Sequence, residues 1–224
     1  MRQPLQFAVI GLGRFGARVA AGLYDQGHDV VAIDRSQQAV DQIRDQVTTA
    51  ICGDSTHKET LEAAGIGEMD TVVVAIGDDV EASILTTALV KQMGCGHVVA
   101  RASTDLHAEI LKLVGAHEVV YPEHDVAIRL TRKLASPLID AYVPLEGDLE
   151  FVHITVPKSF IGHSLSELQV RRKHKVTIVA VHTTDENGDP AIILPSASYV
   201  FKEGDTAWVV GHEADLRRFE QIQS

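Results

Sequence analysis

Gly11-Leu12-Gly13-Arg14-Phe15-Gly16 follows directly on the apolar run Gln6–Ile10 and opens a helical pattern, so strand, glycine turn and helix succeed one another. In this spacing the first glycine permits the tight turn, the second lets backbone approach a phosphate, and the third lets helix pack closely on strand. The same alternation continues for about 135 residues, through apolar runs at Gln6–Ile10, His28–Ile33, Thr49–Cys52, Thr71–Ile76, His97–Ala100 and Glu118–Tyr121. Such a rhythm predicts βαβ units on a parallel sheet. Thr56 with Glu59 and Asp78 with Glu81 have the capping-box spacing and predict helices near Lys58–Ala64 and Asp79–Met93; another follows Pro122 to about Leu134.

Near Ser136–Pro137 the pattern changes, because proline cannot continue a helix and the later segments are strands without long helices between them. A boundary is expected between there and Gly147, giving a Rossmann-type nucleotide-binding lobe over 1–140 and a small α+β lobe over 141–224. The second lobe is expected to hold strands at Leu149–Val156, Val176–His182, Ala191–Leu194 and Thr206–Gly211. A short helix capped by Ser164 with Glu167, a turn at Asn187–Gly188 and a final helix from Glu213 complete it.

Charge and composition exclude several classes. The formal net charge of -11 opposes a nucleic-acid partner. No apolar run approaches the roughly 18 residues of a membrane span, and a signal-peptide pattern is missing, so a cytoplasmic location is expected, with any membrane link through a protein partner. Cys52 and Cys95 lack CxxC spacing and fit a reducing compartment. No tyrosine has a lysine four residues on, no His-Glu-x-x-His occurs, and neither a Walker A lysine nor a GxSxG serine is present. A non-enzyme is expected.

The binding pattern is more specific. Asp34 ends the second strand, where a carboxylate accepts from ribose hydroxyls; it disfavours a 2′-phosphate, although adjacent Arg35 would tolerate one. NAD, ADP and ATP all remain open. Arg14 inside the glycine turn tilts the choice toward a di- or triphosphate, or is a solvated helix-start arginine. Asp54 and Ser55 after the third strand, and Ala75, Ile76 and Gly77 after the fourth, border the same crevice. Arg101 ends the fifth strand and adds charge on the phosphate side or makes a surface ion pair. Glu123 is either a cation ligand beside a polyphosphate or a helix-dipole partner. The run Arg171-Arg172-Lys173-His174-Lys175 offers an anion or acidic-partner site, or a solvated face.

In combination, Gln6–Gly16, Val73–Gly77, Ala82–Thr87, Gly115-Ala116 and Tyr121–Asp125 resemble the RCK (TrkA/KtrA) family, cytosolic regulatory subunits of bacterial Trk/Ktr-type potassium uptake systems. The resemblance covers essentially the whole chain. It implies homodimers assembling into a homo-octameric ring under an integral-membrane potassium transporter or channel subunit, with ATP or ADP switching the ring's shape. It would place Gly11, Gly13, Arg14 and Gly16 at the phosphates, Asp34 at the ribose, and Asp54 with Ala75-Ile76-Gly77 around the adenosine. The residue matching Arg101 faces the nucleotide, and the glutamate matching Glu123 holds a divalent or monovalent cation at the dimer interface. Some relatives bind cyclic di-AMP between C-terminal lobes, where Arg171 and Pro195 match. Asparagine often stands where this chain has Asp54. The competing readings are an NAD(H)-binding redox sensor and an NAD-dependent oxidoreductase.

Overall fold

The computed structural model describes residues 3–135, 139–145, 147–185 and 188–223. The expected break at Ser136–Pro137 and residue Asn187 of the expected turn lie outside the described residues. The chain divides into two compact units, residues 1–123 and 124–224.

In the first unit β1 (Gln6–Ile10), β2 (Asp29–Asp34), β3 (Thr49–Cys52), β4 (Thr71–Val74), β5 (His97–Arg101) and β6 (Glu118–Val120) form one sheet in the order β3-β2-β1-β4-β5-β6. Every pairing is parallel. The connecting helices are α1 (Arg14–Asp25), α2 (Gln37–Ile43), α3 (Lys58–Ala63), α4 (Val80–Gln92) and α5 (Asp105–Leu113). The two faces of β1 separate the core: Ala8 and Ile10 pack with Leu61, Val90 and Leu111, while Val9 packs with Ala20, Val40 and Ile43. Burial on both sides explains why the strands read as continuous apolar runs rather than as alternations. Each fully buried Ile or Leu contributes about 1.5–3 kcal/mol. Strand order reverses between β1 and β4, which opens a crevice beyond their carboxyl ends.

β1 and β3 have the expected bounds, whereas β4 stops two residues early as the chain turns away into Gly77. Two expected caps are corrected. The α4 cap is Asp79, whose Oδ1 accepts from Ala82 N at 3.1 Å, and not Asp78. Thr56 does not cap α3: its hydroxyl and amide both donate to Asp54 Oδ1, at 2.7 and 2.9 Å, leaving His57 at the cap position without a side-chain bond. An aspartate two residues back competes for the threonine, as such local side-chain bonds do.

The second unit takes in α6 (Pro122–Ala135) from His124 onward, then β7 (Ile139–Pro144), β8 (Leu149–Thr155), α7 (Leu165–Leu168), α8 (Val170–His174), β9 (Thr177–Thr184), β10 (Pro190–Ile193), β11 (Thr206–His212) and α9 (Glu213–Glu220). Its sheet is antiparallel in the order β10-β9-β11-β8-β7. Alternation is clean on β8, where Val152 and Ile154 face a core with Phe160, Phe201, Leu216 and Phe219. The Ser164–Glu167 capping box forms as expected. Strand β7 and helix α8 were not expected. Among the described residues no helix is long and apolar enough to cross a membrane.

Candidate functional site

A cavity of about 510 Å³ lies over the carboxyl ends of the first-unit strands, within the range of ligand pockets. Ile10, Gly11 and Gly13 come from the β1 turn, Asp34 and Arg35 from the end of β2, Gly53–Thr56 from β3, Ala75–Asp79 from β4, and Arg101 from β5; Glu81, Ala82 and Leu85 of α4 close one side.

The three glycines of the turn have three different reasons to lack a side chain. Gly11 has φ +93°, and a Cβ there would stand 3.1 Å from the backbone of Ala75 and Ile76. At Gly16 a Cβ would fall 1.9 Å from the Gly11 carbonyl oxygen, so loop and helix touch there through backbone. Gly13 is the opposite case. It caps α1 in an extended conformation and nothing lies within 4 Å of its missing Cβ. The first-turn N–H groups of α1 have no carbonyl of their own helix to meet, and with Gly13 bare they form an approach for an anion.

Asp34 is tied to that turn. Its Oδ2 accepts from Leu12 N at 2.6 Å and its Oδ1 from Ser36 N at 2.8 Å. The carboxylate is thereby aimed along the cavity rim, with lone pairs to spare for hydroxyl donors. Next to it Arg35 pairs with Asp79 at 3.3 Å, both partly exposed. Asp54 is drawn below the ordinary carboxyl range by the Thr56 hydroxyl and then by the Thr56 amide. Ser55 is buried, and its hydroxyl bonds that of Thr86 on α4 at 2.9 Å, so it joins α4 to the cavity floor.

Arg101 crosses the crevice from β5. A Cβ at Gly77 would lie 2.5 Å from its Nη1, so bare glycine is what lets the guanidinium lie against the β4 end. Nη2 donates to Glu123 Oε1 at 2.6 Å, and Nε is buried with no partner among the described residues. An unpaired buried donor at a cavity wall suits an anionic ligand. Glu123 is 68% exposed in its side chain and lies outside the cavity wall. Among the described residues no three His, Cys, Asp or Glu side chains converge there.

Not every residue of the expected set lines the cavity. Arg14 begins α1 and is exposed, and Phe15 packs in the core beside α1 and α2. In the second unit Arg171 is exposed on α8, while Pro195 follows β10 and is half-buried. Sequence reading overlooked the acidic wall made by Asp78, Asp79 and Glu81, since its signal, three acids at a helix start, was read as capping.

A parallel sheet with a glycine turn at its switch point, followed by a smaller antiparallel lobe, defines the RCK class of fold. Residues 7–122 match the TrkA-N domain and residues 149–224 the TrkA-C domain. The chain belongs to the TrkA/KtrA (RCK) family. It is 34% identical over 216 residues to Ktr system potassium uptake protein C of Bacillus subtilis (strain 168), covering 96% of each chain. It is also 34% identical to Ktr system potassium uptake protein A of Vibrio alginolyticus, covering 94% of each. The GsuK RCK domain superposes with a TM-score of 0.65 over 99% of this chain, which spans about half (48%) of that solved chain; at 16% identity the likeness is of fold alone. The Kef CTD of Shewanella denitrificans in AMP-bound form is 26% identical with a TM-score of 0.51, over 58% of this chain and 79% of that one.

Proposed function

We propose that this chain is a nucleotide-sensing regulatory subunit that binds ATP or ADP in the first-unit cavity and controls a potassium-translocating membrane protein. It catalyses no reaction in this reading. It acts from the cytoplasm, held to the membrane by its partner, as homodimers assembled into a ring of eight. The observation that carries the reading is Asp34: a ribose-side carboxylate hydrogen-bonded to the same turn whose open Gly13 admits a phosphate. Two Ktr relatives near one-third identity, and an AMP-bound structure similar over 58% of this chain, support it. Arg101 faces the phosphates, with Gly11, Gly13 and Gly16 shaping the turn. Asp54, Ser55, Ala75, Ile76 and Gly77 surround the adenosine. Because Arg14 stands off the cavity wall, it acts on the outer end of a phosphate tail, where ATP and ADP differ. A ligand shifts a ring only by its differential affinity for two shapes. A cation at Glu123 enters only if a bound phosphate draws Arg101 away and a neighbouring subunit supplies further ligands. Cyclic di-AMP at Arg171 and Pro195 would be a separate input.

A second reading, an NAD(H)-binding redox sensor, is favoured by one feature. The cavity wall carries five carboxylates (Asp34, Asp54, Asp78, Asp79, Glu81) against two guanidiniums (Arg35, Arg101), a balance that suits the lower charge of a pyrophosphate diester.

Thermal unfolding with ATP, ADP, AMP and NADH tests both. A ligand at one hundred times its Kd adds about 2.7 kcal/mol, or roughly 5–10 °C in Tm for a chain of this size. Asp34→Asn is expected to weaken every adenosine ligand at least tenfold. Arg14→Ala is expected to weaken ATP selectively; if NADH binds tightest and Arg14→Ala changes nothing, the second reading replaces the first. Indifference of the native chain to all four compounds would refute both.

A further inference from the structure

One carboxylate ties two sides of the first-unit cavity together. Asp79 stands at the N-terminus of α4, where its Oδ1 accepts from Ala82 N at 3.1 Å and its Oδ2 accepts from Arg35 Nη1 at 3.3 Å. Arg35 follows β2 and Asp79 follows β4, and these strands flank β1, so the pair joins elements on either side of the glycine turn. Both residues line the cavity. The backbone that carries Arg35 is fixed. Gly53 N donates to the Asp34 carbonyl at 2.9 Å, Cys52 Sγ to the Arg35 carbonyl at 3.6 Å, and the Ser36 hydroxyl caps α2. Arg35 therefore changes direction only through its side chain, which is 73% exposed.

Asp34 sets the problem that this pair answers. Its two oxygens are held by Leu12 N and Ser36 N, so the carboxylate does not swing aside, and a phosphate on the ribose 2′-oxygen would stand against it. Such a phosphate needs a cation, and an arginine beside the end of the second strand supplies one in sites that accept it. Arg35 has that place in the chain, but its guanidinium is drawn to α4. We propose that, on the adenosine-phosphate reading of this cavity, Asp79 is a specificity-determining residue: by holding Arg35 on the α4 side it denies a 2′-phosphate its counter-charge. The cavity then takes adenosine ligands with a free ribose and rejects their 2′-phosphorylated counterparts.

An exposed ion pair adds little to stability, so what this one does is set a direction. Asp79 is suited to that because the cap bond to Ala82 N already holds its carboxylate, leaving only the arginine to be ordered. Asparagine caps a helix as well as aspartate does, so Asp79→Asn removes the charge that holds Arg35 and keeps the start of α4. Asp78 lies on the same wall without capping α4, and Asp78→Asn makes a control for the loss of one negative charge.

Isothermal titration of the full chain with two matched pairs, AMP against adenosine 2′,5′-bisphosphate and NADH against NADPH, reads the preference as a ratio of Kd values. The native chain is expected to bind the 2′-phosphorylated member about tenfold or more weakly than its counterpart. In Asp79→Asn the ratio should move toward the 2′-phosphate by about fivefold or more, as the freed guanidinium meets it. Adding Arg35→Ala to that variant should abolish the gain, whereas Arg35→Ala alone and Asp78→Asn should each move the ratio by less than about twofold. Circular dichroism checks that each variant is folded. An unchanged ratio in Asp79→Asn, an equal gain in Asp78→Asn, a gain that survives the loss of Arg35, or a native chain without the preference would overturn this role and leave the adenosine reading standing. Binding of none of the four compounds by the native chain would overturn both.

Discussion

Gly16→Ala is expected to remove nucleotide binding and a large part of the first unit's stability together, whereas Gly13→Ala removes the binding alone. The added methyl at position 16 would lie 1.9 Å from the Gly11 carbonyl oxygen and 2.9 Å from the Ala75 methyl. Neither neighbour is a flexible side-chain end, and relief requires α1 to lift from β1. The cost is expected at about 3 kcal/mol or more, at the upper end of overpacking effects. A lifted α1 also parts Leu12 N from Asp34, at present 2.6 Å apart, so the ribose side and the phosphate side fail together. At Gly13 the methyl meets nothing within 4 Å and φ is an ordinary -64°. Stability there should fall by no more than about 1 kcal/mol, the difference between glycine and alanine as a cap. The methyl projects from the cap into the approach a phosphate would use. Urea unfolding and nucleotide binding, measured on both variants, separate the two roles. Equal stability of Gly16→Ala and the native chain would show that the turn does not set the packing of α1, and tight binding by Gly13→Ala would move the phosphate elsewhere.

The same contrast explains how much of the site was legible in the sequence. The β1 turn could be read because Gly11 and Gly16 answer backbone demands that no other residue meets while Gly13 leaves an approach open, and Asp34 because strand β2 ends at the crevice where a parallel sheet offers a ribose site. Phe15 sits within the motif, yet its side chain points into the core beside α1 and α2. A sequence pattern specifies a backbone path, not which flanking side chains face the ligand. The pairing of Arg101 with Glu123 joins residues 22 positions apart through the β5–β6 register and was readable only as two separate charges. Asp79 rather than Asp78 caps α4, because adjacent acids offer the same spacing within one residue and tertiary contact, here with Arg35, decides between them.

In the second unit the overlooked elements are those that sequence describes least well. Strand β7, Ile-Asp-Ala-Tyr-Val-Pro, ends the sheet beside β8, its one strand neighbour among the described residues, and its terminal proline argues against a strand interior. Helix α8 is five residues long, strongly basic, and bounded by Gln169 at φ +49° and Lys175 at φ +59°. Its left-handed ends carry no glycine to announce them. The basic run read as a candidate anion site is this short helix, with Arg171, Arg172 and Lys173 turned to solvent and Val170 buried.

The largest effect outside the first-unit cavity is expected at Arg132, on α6. No α6 residue described in full is buried, and Val126, Leu130 and Leu134 are exposed. The helix is instead fastened by charge. Arg132 Nη2 donates to Glu150 Oε2 of β8, and its guanidinium lies 5.3 Å from the ring centroid of Tyr142 on β7. The side chains are only 13% and 8% exposed. Tyr142 donates to the other oxygen of Glu150 at 3.2 Å, and burial, followed by the charge of Glu150, pushes its hydroxyl pKa up, so it remains the donor. Removing Arg132 leaves a carboxylate that is only 8% exposed without its charged partner. Arg132→Met is expected to destabilise the second unit by about 3–5 kcal/mol, the usual cost of stranding one member of a buried pair. Glu150→Gln in the same chain removes the stranded charge and keeps an acceptor for Tyr142, so the double variant should regain at least half of the loss. Trp208 fluorescence during urea unfolding follows this unit in the native chain, the Arg132→Met and Glu150→Gln single variants and the double variant. A nearly neutral Arg132→Met, or a double variant whose loss equals the sum of the two single ones, would mean that α6 is held by something other than this pair.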